Sequence, residues 1–100
     1  MSDFEFLSLE FEFEGANYPA LIRKKNKQFG VEYYITIMNG ELEKLLFGNH
    51  IILETHGILE VDNKIHDLRQ ATLKLAIMRS LHQYLQSKKN SENGAISMAK

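Results

Sequence analysis

The stretch FLSLEFEFEGANYPALIRKK, residues 6–25, carries two apolar-rich runs about a turn, and the way it is read decides the fold. Leu7, Leu9, Phe11 and Phe13 fall on one parity, and Ser8, Glu10, Glu12 and Glu14 on the other. Successive side chains of a strand point to opposite faces, so the first run is a strand with one apolar and one acidic side. Glu14-Gly15-Ala16-Asn17 reads as the turn, because Gly and Asn tolerate the backbone angles that turns require. Residues 18–25 form the second strand. Pro19 has no N–H to donate, which places it at a strand start or a bulge. Folding the two runs about residues 15 and 16 opposes Phe13 to Tyr18, Phe11 to Ala20 and Leu9 to Ile22, and opposed residues share a face.

The same construction extends to a third strand over residues 28–38, rich in the β-branched and aromatic residues Val31, Tyr33, Tyr34, Ile35, Thr36 and Ile37. Turning at Asn26 and Lys27 opposes Ile22 to Val31, Ala20 to Tyr33 and Tyr18 to Ile35, again on one apolar face. Asn39-Gly40 is the strongest short hairpin signal in the chain. Residues 41–47, ELEKLLF, are read as a fourth strand, although that register turns Lys44 inward. A short helix ended by Gly48 is the alternative, since these are good helix formers. Residues 50–55 read as a further strand, and 57–61 as its continuation or a loop.

From about residue 64 to 87 the chain has neither Gly nor Pro, and Asp62 or Asn63 can cap a helix there. Two apolar stripes run along it. Leu68, Ala71, Leu75, Met78 and Leu85 follow a 3–4–3 spacing interrupted by His82, and are taken as the side packed on the sheet. Leu73, Ile77, Leu81 and Tyr84 form a second stripe more than about 90° around the helix. That stripe needs a wrapped sheet, a loop or a second molecule to cover it, and it is the expected dimer or partner interface. Residues 89–100 read as a flexible tail. The expectation is therefore an α+β fold: an antiparallel four- or five-stranded meander, then one long C-terminal helix packed on one sheet face. Residues 1–88 make a single domain. Its expected core is Leu9, Phe11, Phe13, Ile22, Val31, Tyr33, Ile35, Ile37, Ile51, Leu53, Leu68, Leu75 and Met78.

Composition bounds the function. The chain has 100 residues, no cysteine and a net charge of -1. Thiol catalysis, thiolate metal sites and disulfides are excluded, and a reducing, cytoplasmic setting is expected. The acidic, alternating start lacks the basic and apolar regions of a signal peptide. No apolar run nears the ~18 residues that span a bilayer, so no membrane is expected. Of the four histidines, His66 and His82 lie about 24 Å apart along one helix, and no pair has ligand spacing, so no metal or cofactor is expected. No GxSxG, GxGxxG or P-loop pattern occurs, and Ser8 has no histidine placed to activate it. Glu10 and Glu12, on a side read as wet, lack the burial that acid–base work needs. No catalytic residue is assigned.

Charge alternates in blocks: -5 over residues 1–17, +4 over 18–30, -5 over 31–63 and +5 over 64–100. Such blocks suit strands that neutralise one another across a sheet. RKKNK, residues 23–27, is the one dense basic cluster of the sheet region, with Phe29, Tyr33 and Tyr34 after it. Arg23, Lys24, Lys25 and Lys27 with Tyr34 make a single-stranded nucleic-acid site the alternative function. In layout alone the fold resembles some dimeric single-strand-binding folds, such as the Whirly, transcriptional-coactivator-like and Pur-repeat families. None of their motifs is present and no residue role carries over. The leading expectation is a small non-enzymatic protein acting through protein contacts, as a homodimer or with an unidentified partner. A small-ligand carrier with a pocket between sheet and helix is the third.

Overall fold

In the computed structural model the backbone is described for residues 4–46, 48, 50–61 and 67–98, and side chains for 5–46, 48, 50–61 and 67–88. Five strands form one antiparallel sheet in chain order: β1 (Phe4–Phe13), β2 (Ala16–Lys27), β3 (Gly30–Ile37), β4 (Ile51–Thr55) and β5 (Ile58–Val61). A short helix α1 (Gly40–Leu45) joins β3 to β4, and a long helix α2 (Leu68–Met98) follows β5. The α+β meander with its C-terminal helix on the sheet is as the alternation implies. The backbone of α2 runs on through residues 89–98, past the end near residue 87 that its pattern suggested.

Two of the hairpins are set by positive φ. Glu14 and Gly15 lie at 52° and 82°, and His56 and Gly57 at 54° and 81°. Two consecutive left-handed residues make the turn whose twist matches paired strands, with glycine at its second position. The first turn is thus Glu14-Gly15 rather than Gly15-Ala16, and the β1–β2 register differs by two residues from the expected one. Phe13 pairs with Ala16, Phe11 with Tyr18 and Leu9 with Ala20. The Phe11 and Tyr18 rings lie 5.9 Å apart. Between β2 and β3 the turn is Gln28-Phe29, so Ile22 pairs with Ile35 and Ala20 with Ile37, a shift of four. Both shifts are even, so every side chain keeps its face.

Pro19 sits inside β2, not at its start. Counted out from the two-residue turn, its pair with Glu10 is one that exchanges no hydrogen bond, so the missing N–H faces β3. There the β2–β3 ladder has already ended at Ala20 and Ile37, and Pro19 only accepts, from the Met38 N–H at 3.2 Å.

Residues 40–45 are helix, which corrects the expected fourth strand. Asn39, read as half of a hairpin turn, is the N-cap: its Oδ1 accepts from the N–H groups of Glu41 and Leu42, both at 3.1 Å. Leu42 and Leu46, one helical turn apart, both reach the core, whereas a strand would have turned Lys44 inward. Glu43 then serves two neighbours. Its carboxylate accepts from the Ile37 N–H at 2.8 Å and lies 2.7 Å from Nε2 of His50. The strands at 51–55 and 58–61 are separate, joined by the His56-Gly57 turn.

The core lies between α2 and the inner side of the sheet: Phe11, Phe13, Ala20, Ile22, Tyr33, Ile35, Ile37 and Ile52, with Leu42 and Leu46 of α1. From α2 it takes Leu73, Ile77 and Leu81, each fully buried. This reverses the two helix stripes. The stripe expected to meet a second subunit seals the core, with Tyr84 half-buried at its end, so Leu73, Ile77 and Leu81 are no interface. Leu68 and Leu75, expected inside, are exposed. The cause is visible in the neighbours. Gln70 and Lys74 interrupt the true stripe, and both are buried because carbonyls receive them: Gln70 Nε2 donates to Leu46 O at 2.7 Å and Lys74 Nζ to Ile51 O at 2.9 Å. Each buried aliphatic side chain of the stripe contributes about 1.5–3 kcal/mol.

The helix start is tied down by Asp67, whose carboxylate accepts from the Arg69 N–H at 2.7 Å. Capping by Asp62 or Asn63, and the position of His66, lie outside the described residues. Arg69 in turn makes a two-pronged contact with Glu14 at 2.8 and 3.0 Å and lies over the Phe13 ring at 5.7 Å, fixing α2 against the first hairpin.

Candidate functional site: the uncovered face of the sheet

Because α2 packs on one side, the pairing decides what the other side presents. One row across four strands reads Phe6, Arg23, Tyr34, Ile51. Its neighbour on one side is Lys25, Glu32, Leu53, Glu60, and on the other Ser8, Leu21, Thr36. Phe6, Leu21, Ile51 and Leu53 are 36–66% exposed, on a face where alternation alone implied a wet surface. Ile51 and Leu53 were expected in the core. The parity of β4 is the opposite, with Ile52 inside against Tyr33 and Val61.

The centre of this face is ordered by side-chain contacts. The Arg23 guanidinium lies 4.9 Å from the centroid of the Tyr34 ring. The Tyr34 hydroxyl donates to Glu32, and that bond holds the phenol proton above its ordinary range. Glu32 also receives Lys27 Nζ at 3.7 Å. Apolar residues therefore flank an Arg–Tyr–Glu–Lys chain, with Glu10 and Glu12 beyond it on β1. The acidic stripe itself gains no basic partner across the strand pair. Glu10 and Glu12 oppose Pro19 and Asn17, not the Arg23 and Lys25 of the neighbouring rows.

The proposed nucleic-acid cluster is divided. Arg23, Lys25 and Lys27 point outward, whereas Lys24 shares the helix side with Tyr33, its pair on β3. Tyr34, the expected stacking residue, is already stacked by Arg23. Phe29 projects from the hairpin tip, 82% exposed. Tyr33, on the inner side, donates to Glu54 Oε1 at 2.6 Å, and burial together with that carboxylate pushes its phenol far above the ordinary tyrosine range.

For chemistry the described residues offer little. They contain no group of three His, Asp or Glu able to hold a metal ion. Ser8 lies opposite Leu21 and beside Glu10, with no histidine in its row. No described helix is long and apolar enough to cross a membrane. What the face can do is bury apolar surface. Phe6 and Leu21 are the residues that sequence reasoning passed over. The signal was present in Ala20-Leu21-Ile22, three consecutive apolar residues that place oil on both sides of β2.

No protein-family model, no curated protein and no solved structure matches this chain.

Proposed function

We propose that this is a small, cytoplasmic, non-enzymatic protein that acts through protein contacts as a homodimer, its two copies packed through their uncovered sheet faces. The observation that carries the reading is the row Phe6–Arg23–Tyr34–Ile51 with Leu21 and Leu53 beside it. Phe6, Leu21, Ile51 and Leu53 leave apolar surface on the side of the sheet away from α2, which a further layer would cover. An apolar centre carrying Tyr and Arg inside a charged rim is the composition of binding surfaces. Area supports a second copy. Five strands at ~4.8 Å spacing over roughly 25 Å of length present on the order of 600 Å² per side. Two such sides bury on the order of 1,200 Å², the lower bound of a stable interface. Charge supports it as well, because Arg23, Lys25 and Lys27 nearly balance Glu10, Glu12, Glu32 and Glu60, so two copies meet without strong repulsion. The absence of cysteine suits the cytoplasm.

Sedimentation equilibrium tests the proposal. The wild type is expected at twice the 11.6 kDa of the chain. The double variant Phe6→Glu, Ile51→Glu is expected at the monomer mass with an unchanged circular-dichroism spectrum. A monomeric wild type, or a double variant that remains dimeric, contradicts it.

A further inference from the structure

The flanks of α2 meet the sheet differently. On the β1 side the helix comes close, and the residues continuing the flank of Arg69 are small: Ala76 and Ser80, both half-buried. On the other side β5 has only four residues. An open groove of about 440 Å³ remains between α2 and the β4–β5 hairpin. Its walls are Ile58 and Leu59 from the hairpin and Leu75 and Met78 from the helix, with Arg79 and His82 on the same helical stretch. Leu75 stays 45% exposed there and Leu59 and Met78 half-buried, while Ile58, paired with Thr55, has the outer parity of the sheet and closes the rim at the hairpin tip.

We infer that this groove binds a medium-chain carboxylate, a molecule with an unbranched apolar tail and a single anionic head. The volume falls within the roughly 300–1,000 Å³ of small-molecule sites, and the lining is apolar with few polar groups, as such sites require. The sign of the head follows from charge. Among the described residues no carboxylate lines the groove, and Arg79 has no ion-pair partner. Arg79 and His82 are three residues apart and so neighbours on the helix surface, where guanidinium and imidazole N–H groups can converge on one head group. A tail along Leu59, Leu75 and Met78 removes apolar surface from water at both ends of the exposed patch. A second copy of α2 is a poor occupant, since it would set Arg79 near a second basic helix face. The site lies on the helix side of the sheet, away from the proposed dimer face, and does not depend on it.

Calorimetric titration of the full chain with decanoate below its aggregation concentration tests the inference, with decanol and decyltrimethylammonium as controls. Decanoate is expected to bind saturably, and both controls roughly ten-fold or more weaker, the loss of one charge-assisted contact. Arg79→Gln should bring decanoate down to the affinity of decanol and leave decanol unchanged. Leu75→Asp should weaken decanoate and decanol alike, and neither variant should alter the sedimenting mass. In NMR spectra decanoate should shift the Leu59, Leu75 and Met78 methyl signals and spare Leu21 and Ile51. Three results overturn the inference: no saturable binding of decanoate, equal affinity for decanoate and decanol in the wild type, or shifts confined to the outer sheet face.

Discussion

Both sides of the sheet carry large apolar residues, but only on the inner side do they form a continuous core; on the outer side they stand among Arg23, Lys25, Glu32 and Glu60. On the inner side Phe11, Ile22, Ile35 and Ile52 lie beneath α2 at 1% exposure or less. On the outer side Phe6, Leu21, Ile51 and Leu53 stay 36–66% exposed. Phe6 and Phe11 share one strand, and Ile51 and Ile52 are adjacent in the chain. The difference teaches that burial here comes from the position of one helix, and the proposed dimer would cover the apolar residues of the outer side.

Paired substitutions sharpen the comparison. Phe11→Ala should lower folding stability by about 3–5 kcal/mol in urea denaturation, whereas Phe6→Ala should cost well under about 1 kcal/mol when unfolding is measured at concentrations too low for dimer. The neighbouring pair should behave alike: Ile52→Ala about 2–5 kcal/mol, and Ile51→Ala small in the monomer but visible as a loss of concentration dependence in the melting temperature. If the two members of either pair prove equally costly at low concentration, the assignment of faces fails.

A smaller effect separates the sides through pH. The Tyr33 phenol is raised well above its ordinary value of 10 by burial and by Glu54. A group raised on folding gives stability that is complete below its unfolded pKa and is lost as pH rises through the folded one. The urea midpoint should therefore fall above about pH 10, and Tyr33→Phe should flatten that decline. The smallest effect belongs to the exposed Glu14–Arg69 contact. Arg69 holds the Glu14 carboxyl below its ordinary value. Its contribution is present above the unfolded pKa of a glutamate and fades as pH falls through the folded one, so Arg69→Ala should leave neutral stability almost unchanged and slightly reduce its sensitivity to acid.

Much of the fold was legible because strand alternation survives errors of register. The turns were misplaced by one and two residues, which shifts the registers by two and four, and Phe11, Phe13, Ile22, Ile35 and Ile37 still fell inside. The rest was hidden by residues with two uses. Asn39-Gly40 can close a hairpin or cap a helix, and only the core contacts of Leu42 and Leu46 decide between them. Lys74 and Gln70 disguised the buried stripe of α2, because their burial depends on carbonyls of Ile51 and Leu46, distant in sequence. The candidate face was hidden for the same reason. Phe6, Arg23, Tyr34 and Ile51 form a row only once all three strand registers are in place.

The central claim is that two copies meet through this row. An isotope-filtered NOE experiment on a mixture of labelled and unlabelled protein tests it directly. The account predicts intermolecular contacts among Phe6, Leu21, Ile51 and Leu53, and none from Leu68 or Leu75. Intermolecular contacts that arise from the exposed side of α2 instead, or none at concentrations where the protein sediments as a dimer, would contradict it.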